Sequence, residues 1–388
     1  MAVPIKYSFR SVIVRWKSSL LAITGIGLVV AVFVGLLSMA SGFRLALRAS
    51  GNPENAIVLE KGALSELGSS FSQAAGNWLG NDPRIARSSE GTPFISPELV
   101  GIVALPKRSD GELTNVGVRG VTPVGFRVRN EVSIVAGRRP EPGSFEVVVG
   151  RQAQRRIRAL DLGSRISLMK HDFEVVGILS AEGSVFDSEI WGDYDTMASA
   201  FNRAGTVNSL TVRLEHPSVL PSFDKDLQAN LQYPLEMTGE RQYYEDQAGP
   251  LSKFLQGLAV FVAVIMGIGA IFGAMNTMYA VVANRTREVG TLRMLGFPRS
   301  AILTTFVFEG VLLALVGGGL GCLLSFLMQM LTTSSTTASM SEVVFAFRVT
   351  TVDLVCGLLF AAIMGVIGSL LPALRAARLP IISALREM

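Results

Sequence analysis

Four long apolar stretches constrain the fold of this 388-residue chain more than any other feature. Residues 18–43, 254–284 and 354–374 contain no charged side chain, and the stretch 302–331 contains only Glu309. A helix needs roughly 20 apolar residues to cross a bilayer, and a spanning segment must satisfy its own backbone hydrogen bonds. The chain is also only 17% charged, against about 25% in soluble domains. The sequence therefore predicts four transmembrane α-helices.

The distribution of lysine and arginine predicts the orientation, because these residues accumulate on cytoplasmic flanks. Residues 1–17 carry four basic side chains and no acid, residues 285–300 carry four arginines and one acid, and residues 375–388 carry three arginines and one acid. We expect both termini and the loop 285–300 in the cytoplasm. A cleaved signal peptide is the alternative for the first stretch, but its apolar core is longer than usual for one.

The predicted fold class is a membrane protein with four transmembrane α-helices plus a large α+β extracytoplasmic domain between helices 1 and 2. The predicted segments are a cytoplasmic interfacial segment 1–17, span one 18–43, the extracytoplasmic domain 44–253, span two 254–284, a cytoplasmic helix 285–300, span three 301–331, a short extracytoplasmic loop 332–353, span four 354–374 and a cytoplasmic tail 375–388.

The two ends of the extracytoplasmic segment resemble each other in pattern. β-rich runs at 55–60 and 209–215 are bounded by turn-forming residues. Each run precedes a helical pattern, near 66–79 in the first case and near 222–231 in the second. We expect these two βαβ-like units to form one α+β lobe.

The middle of that segment reads as short strands with turns. Its best strand patterns are at 145–150 and 172–179, and Pro and Gly in "GRRPEPGS" favour a turn before the first of them. We expect a β-rich lobe inserted into the α+β lobe. The basic run 151–158 is predicted on a helix, either as a solvated face or as a contact patch for an acidic partner.

The chain lacks the patterns of catalytic and metal sites. A P-loop requires Gly-Lys before Ser or Thr, and no lysine here follows a glycine. His171 and His216 are isolated, and Cys322 and Cys356 lie in predicted spans. Residues 42–253 hold 23 basic and 26 acidic residues, so the basic pI does not indicate nucleic-acid binding. We expect no enzyme activity in this chain, and no metal, cofactor or nucleic-acid partner.

The stretch "NRTREVGTLRMLGFPRSAI" predicts a short basic helix between spans two and three. Gly296 stands where a C-terminal cap would, and Pro298 follows two residues later. Val289, Leu292 and Leu295 form an apolar stripe. These residues alone favour a basic interfacial loop that enforces topology.

The same stretch resembles the signature between spans two and three of the FtsX/MacB-type (type VII) ABC permease family. That signature runs approximately Arg-Glu-Ile-Gly, two residues, then Arg-Ala-Leu-Gly. "AGRRPEPGSFEVVVG" and "FEVVGILSAEGSVFDSEIW" resemble the MacB-like periplasmic core domain, and "PALRAARLPIISALR" resembles the family's C-terminal tail. Val289 and Met294 depart mildly from the signature, whose positions are occupied by Arg287, Glu288, Val289, Gly290, Leu292, Arg293, Leu295 and Gly296.

The resemblance implies a multi-pass protein of the bacterial inner (cytoplasmic) membrane, and it implies partners and a role for the loop. It implies four spans per subunit, paired as a homodimer or with another permease, and a cytoplasmic ABC ATPase dimer that docks on the loop as on a coupling helix. The eight signature residues would then couple the two proteins, the apolar stripe giving contact area and Arg287, Glu288 and Arg293 giving polar register. Because 17 residues precede span one, we expect the ATPase on a separate chain. A periplasmic membrane-fusion adaptor is a further expected partner.

The family also implies a mechanism. Span two, at 31 charge-free residues, would reach about 46 Å as a helix, against about 30 Å of hydrocarbon, so it emerges from the bilayer or tilts. We expect mechanotransmission to the extracytoplasmic domain, for export or for lipid or lipoprotein handling. The alternatives are an FtsX-like signal transducer that controls an extracytoplasmic enzyme without moving cargo, and a membrane-anchored receptor without an ATPase.

Two further features of the spans invite hypotheses. Gly269 with Gly273 and Gly317 with Gly321 have the GxxxG spacing that lets helices approach closely, either within the chain or at a dimer seam. Glu309, the single acid within a span, is expected to snorkel, to pair with a basic flank residue or to mark function.

Overall fold

The computed structural model describes residues 16–330, 332–336 and 342–378. Most of the predicted N-terminal segment and the last ten residues of the predicted tail lie outside these ranges. The helices of the described residues are α1 (Trp16–Ala49), α2 (Ala74–Leu79), α3 (Gly125–Val128), α4 (Arg151–Arg156), α5 (Tyr194–Ala200), α6 (Leu220–Gln228), α7 (Glu240–Asn284), α8 (Thr286–Met294), α9 (Arg299–Leu327) and α10 (Thr351–Ala377).

The strands alternate with these helices in the middle of the chain. They are β1 (Asn55–Glu60), β2 (Phe71–Ser72), β3 (Ile95–Pro106), β4 (Leu113–Val121), β5 (Ser133–Gly137), β6 (Glu146–Gly150), β7 (Arg165–Leu168), β8 (His171–Ser180), β9 (Ile190–Asp193), β10 (Thr206–Val207), β11 (Ser209–Arg213), β12 (Leu235–Gly239), β13 (Thr332–Thr336) and β14 (Glu342–Ala346). Short 3₁₀ turns occupy Glu66–Gly68, Val185–Ser188, Pro217–Val219 and Met328–Met330.

The chain divides into two compact units. A helical unit comprises residues 1–42, 253–331 and 347–388, and a sheet unit comprises residues 43–252 and 332–346. Helices α1, α7, α9 and α10 are long and apolar enough to cross a membrane, which confirms the four predicted spans. Helices α1 and α7 extend beyond the predicted spans. The polar residues that flank each apolar run also favour helix, so the helix continues after the apolar run ends.

The predicted βαβ-like units occur in an interleaved form. Strands β1 and β3 both pair antiparallel with β11, which lies between them, while β11 and β12 both pair antiparallel with β1. The strand order β12-β1-β11-β3 is therefore that of two split βαβ units. Helix α2 connects the first pair and α6 the second.

The inserted β-rich region is not a separate sheet, which corrects the expectation of a distinct lobe. The order continues from β3 through β4, β9, β6 and β8 to β5 in one ten-stranded sheet. Strands β3 and β4 pair over nine residues, from Glu98–Val121 to Pro106–Leu113. A hairpin this long reaches both halves, so it carries the hydrogen-bond ladder across the predicted boundary.

Other local predictions need correction. The helix expected near 66–79 is a 3₁₀ turn, the short strand β2 and the one-and-a-half-turn α2, because the serines between them favour capping and turns over helix. The loop expected at 332–353 contains the hairpin β13–β14. The basic run 151–158 starts on α4, which ends at Arg156.

Two buried arginines bind the parts of the sheet unit together. All five N–H donors of Arg119 bond to carboxylates: Nε and Nη2 to Glu189, Nη1 and Nη2 to Glu66, and Nη1 to Glu98, at 2.6–3.1 Å. Arg129 donates to Glu98, to Glu240 and to the Thr211 hydroxyl. We call these two arginines and four glutamates the arginine network.

The arginine network is electrostatically unusual because it lies away from water. The side chains of Arg129, Glu98 and Glu240 are fully buried, and that of Arg119 is 2% exposed. Burial opposes the charge of Glu66, but Arg119 outweighs it and holds the pKa of Glu66 below its usual range. Burial likewise opposes charge on both arginines, yet the surrounding carboxylates raise the pKa of each guanidinium.

We expect Arg129→Leu to destabilise the sheet unit strongly, since it leaves the buried Glu240 without its cation and removes one of the two cations of Glu98. Breaking a buried pair in this way costs about 3–5 kcal/mol. Arg108→Leu is the control, because Arg108 pairs with Asp161 at the surface and such pairs contribute about 0–1 kcal/mol. Denaturant unfolding of the full-length protein in detergent, followed by tryptophan fluorescence, compares the two. Equal losses would contradict the assignment of the network as a stabilising element.

Small residues let two of the spans, α9 and α1, pack closely. A Cβ on Gly317 would lie 2.7 Å from the carbonyl oxygen of Ile23, and one on Gly321 would lie 2.5 Å from that of Gly27. These two glycines therefore let α9 approach α1 within the chain. Gly269 and Gly273 differ, because a Cβ on either meets nothing within 4 Å.

We expect Gly321→Ala to lower the stability of the helical unit, because the added methyl group clashes with the backbone of α1. Overpacking of this kind costs about 1–3 kcal/mol. Gly273→Ala adds the same atom to the same spacing motif but meets no neighbour in the chain. Thermal unfolding of the full-length protein in detergent, under conditions where it is monomeric, should show a loss for the first variant only. A loss of equal size for Gly273→Ala in the monomer would contradict the assignment of the close α9–α1 contact as the cause.

Candidate functional site

The helix α8 follows α7 after a one-residue break at Arg285 and ends at a left-handed glycine. Gly296 has φ +89°. Its N–H donates to the carbonyl of Arg293, and the N–H of Phe297 donates to the carbonyl of Leu292. This pair of bonds is the Schellman motif, so the predicted C-terminal cap is confirmed. A side chain at Gly296 would be strained, because φ in this range disfavours L-residues.

One side of α8 packs against the spans. Val289 is 3% exposed, and Gly290 is buried as well. Val289 belongs to an apolar cluster formed with the ends of α7 and α10 and the start of α9, whose other members are Met278, Val281, Val282, Ile302, Phe306, Ala373, Ala376 and Ala377. Leu292 is half-buried beside this cluster. The helix therefore has a fixed inner face.

The opposite side of α8 is exposed. Arg287, Glu288 and Thr291 are exposed, and so are Met294 (54%) and Leu295 (69%). Positions 287, 291 and 294 follow the i, i+4, i+7 spacing of one helix face. We call these five residues the outer face of α8; it combines charge at its start with apolar side chains at its end.

A buried ion pair joins α8 to α9. Arg285 donates from Nη1 to Glu309 Oε2 and from Nε to Glu288 Oε2, both at 2.8 Å. The side chains of Arg285 and Glu309 are 6% and 4% exposed, and the guanidinium carbon lies 5.2 Å from the ring centre of Phe306. The acid within span three is thus paired with a basic flank residue, one of the three alternatives the sequence left open.

The structure divides the eight predicted coupling residues between the two sides of α8. Val289 and Gly290 face inward, so they position the helix rather than offer contact area. Leu292 and Arg293 are half-buried, and Gly296 ends the helix. The exposed members are Arg287, Glu288 and Leu295.

Sequence reasoning missed Arg285 and Met294 as site residues. The signal for Arg285 was available, because a lone acid in an apolar span needs a cationic partner and Arg285 directly follows span two. Met294 was treated only as a departure from the family signature, although its spacing from Arg287 and Thr291 puts it on their face.

Other candidate residues form no metal site. No group of three or more His, Cys, Asp or Glu side chains within residues 16–330, 332–336 and 342–378 is placed to hold a metal ion. His171 stacks on Phe145 with ring centroids 5.2 Å apart. Cys322 and Cys356 are free thiols.

Family models match both parts of the chain. A model of the MacB-like periplasmic core domain matches residues 19–230, which is more than half of the chain, and a model of the C-terminal part of FtsX-like permeases matches residues 260–381. The chain belongs to the FtsX/MacB family of ABC transporter permeases. The second match includes α8, and the first covers α1 and most of the sheet unit, so the extracytoplasmic domain of this permease lies between its first two spans.

Two relatives that are similar in sequence agree with this assignment. The uncharacterized ABC transporter permease YknZ of Bacillus subtilis (strain 168) is 26% identical over 98% of both chains. The macrolide export ATP-binding/permease protein MacB of Bdellovibrio bacteriovorus is 24% identical over 97% of this permease, which spans 60% of that relative's length. The crystal structure of the periplasmic region of MacB from Actinobacillus actinomycetemcomitans is 15% identical and covers 50% of this chain and 92% of its own, with a TM-score of 0.39.

We expect Arg285 and Glu309 to be energetically coupled. Arg285→Met leaves a buried carboxylate and Glu309→Leu leaves a buried guanidinium, so each single change should destabilise the helical unit. The double variant removes both charges and should lose less than the sum of the two single losses. Unfolding of the four proteins in detergent measures the coupling, with Arg299→Met at the exposed start of α9 as control. Additive losses would show that the pair contributes nothing beyond its separate side chains.

Proposed function

We propose that this permease receives ATP-driven motion from a separate cytoplasmic ABC ATPase dimer through the outer face of α8. The motion is passed to the extracytoplasmic sheet unit and serves export or the handling of a lipid or lipoprotein. The observation that carries the proposal is the two-sided character of α8, whose inner side is fixed to the spans while its outer side is exposed.

The inner side of α8 supports force transmission. The apolar cluster around Val289 joins three spans, and the Arg285–Glu309 pair adds a charged link to one of them, α9. A docked partner that displaces α8 must therefore displace the ends of α7, α9 and α10 with it, because close-packed interiors transmit strain.

The outer side supports docking. Met294 and Leu295 are exposed apolar side chains at the end of α8, beyond the apolar stretch of span two. Exposed apolar surface rimmed by polar residues marks protein contact sites. Arg287 and Glu288, at the start of the same face, would set the register with polar groups of the ATPase.

Helix α7 supports transmission across the membrane. It is a single helix of 45 residues, about 68 Å long at 1.5 Å per residue, which exceeds the roughly 30 Å hydrocarbon core. Its first residue, Glu240, belongs to the arginine network, and its last residue precedes Arg285. Helix α7 therefore begins at a residue of the arginine network and ends next to α8, so motion of α8 would act on α7.

The family and an open groove between two spans suggest the remaining partners. The groove between α1 and α7 is lined by Gly25, Gly269 and Gly273 together with alanines, and we propose that a second permease subunit packs there in the bilayer. An ATPase on its own chain suits the match to YknZ, which is named a permease and is covered over 98% of its length. A periplasmic membrane-fusion adaptor would engage the sheet unit, and the macrolide export named for the MacB relatives makes export the preferred role over signalling.

We expect Met294→Asp and Leu295→Asp to abolish co-purification of the ATPase. Each change places a charge where the partner groove would bury an apolar side chain, and a loss of about 1.4 kcal/mol per position lowers the affinity tenfold. The tagged full-length permease is purified in mild detergent from its native host, and the retained proteins are identified by mass spectrometry and assayed for ATP hydrolysis. Leu231→Asp is the control, because Leu231 is 99% exposed in the sheet unit.

Four outcomes separate the alternatives. Retention of an ATPase by the wild type and by Leu231→Asp, with loss in both α8 variants, supports the proposal. Equal retention by all variants contradicts docking on the outer face of α8. Absence of any nucleotide-hydrolysing chain from the wild-type eluate favours the receptor role, and co-purification of a cell-wall hydrolase in place of an adaptor favours the FtsX-like signal transducer.

A further inference from the structure

A cavity in the sheet unit opens beside the arginine network. Its volume is about 40 Å³, far below the 300–1,000 Å³ of pockets for drug-sized ligands, so it can take only a small ligand. Its polar lining comprises Glu66, Arg119, Glu189, Tyr243, Tyr244 and Gln247. Aliphatic side chains from β3, such as Val100 and Ile102, form the rest of the wall.

The wall of this cavity carries an excess of negative charge. Among its lining residues, Glu66 and Glu189 face the one cation Arg119, while the third carboxylate on Arg119, from Glu98, is shared with Arg129. All five N–H donors of Arg119 are already used by these carboxylates, so it offers none to a ligand. The oxygens of Glu66 and of Glu189 accept three hydrogen bonds each, whereas a carboxylate has about four acceptor positions. The charged part of the wall can therefore accept further hydrogen bonds but not donate them.

The start of α7 contributes two more polar groups that can accept hydrogen bonds. Tyr244 lines the cavity and is 5% exposed, and its hydroxyl has no hydrogen-bond partner among the described residues. Gln247 donates to the carbonyl of Leu64, and its own amide oxygen is also without a partner in the described part of the chain. The rings of Tyr243 and Tyr244 meet edge to face at 5.2 Å, and aromatic faces attract cations.

From this geometry we infer that the cavity is a binding site for a small organic ammonium ion with an apolar body. The ammonium group satisfies the spare acceptors of Glu66 and Glu189, the tyrosines supply an aromatic wall, and the aliphatic side of the cavity takes the carbon chain. An anion is repelled by the charge of the wall. A metal ion is disfavoured because the described residues offer no cluster of three metal-ligating side chains. The inference concerns binding and does not rest on the proposed function.

Trp191 provides a direct reporter of the site. Its indole Nε1 donates to Glu189 Oε2 at 2.7 Å, so a cation that binds Glu189 changes the surroundings of the indole. In full-length protein carrying Trp16→Phe and Trp78→Phe, Trp191 is the remaining tryptophan of the chain. Titration of this protein in lipid nanodiscs with n-butylammonium should give a saturable fluorescence change. The matched probes n-butanol, butyrate and sodium ion, at equal ionic strength, should give none.

Variants test the contacts by calorimetry, which does not depend on the reporter. Glu189→Gln removes one charge and should weaken n-butylammonium binding at least tenfold, and Tyr244→Phe should weaken it several-fold. Glu90→Gln removes an exposed carboxylate of the same unit and should leave the affinity unchanged. Tyr244→Phe changes one atom and keeps the arginine network, so it supplies the test if Glu189→Gln fails to fold. A flat titration, an equal response to n-butanol, or affinities unchanged in both cavity variants would overturn the inference.

Discussion

The sheet unit depends on placing two guanidinium groups away from water. Arg119 and Arg129 bond to residues that lie between positions 66 and 240 of the chain, so one network joins strands β3, β4 and β9 to the start of α7. Replacing a buried ion cluster by apolar residues is often neutral or even stabilising. The value of such a network lies in specificity, because a wrong strand order leaves charges without partners in a low dielectric. The bond from Arg129 to Glu240 also fixes the first residue of α7 against the sheet.

In the helical unit, the position of α8 also depends on buried contacts. Helix α8 is too short to hold its position by backbone hydrogen bonds alone, and it is held instead by apolar packing around Val289 and by the Arg285–Glu309 pair. The two anchors differ in kind, since apolar packing is non-directional whereas the ion pair has defined geometry. Together they determine which side of α8 remains exposed.

The sequence was sufficient to predict the features that have a local cause. Four spans follow from charge-free runs, the end of α8 follows from Gly296, and strands such as β1 and β6 follow from β-branched runs between turn residues. The continuity of the sheet could not be predicted, because it depends on pairing between strands more than 80 residues apart in the chain, such as β3 with β11. The arginine network was missed for the same reason, although a single Arg or Glu inside an apolar strand, as at Arg119 and Glu98, is a usable signal. The burial of Val289 against the spans could not be predicted, because apolar periodicity does not reveal whether a stripe meets the spans of its own chain or another protein.

The interleaved order of the sheet has a consequence for biogenesis. Within the described part of the chain, strand β1 pairs with β11 and β12, which lie roughly 150 to 180 residues later. While the polypeptide is being translocated, the apolar segment "NAIVLE" has therefore left the translocon long before its neighbours arrive. An unpaired strand of this composition is a template for mispairing with another nascent chain. This half of the sheet can therefore close only after translation has passed residue 239.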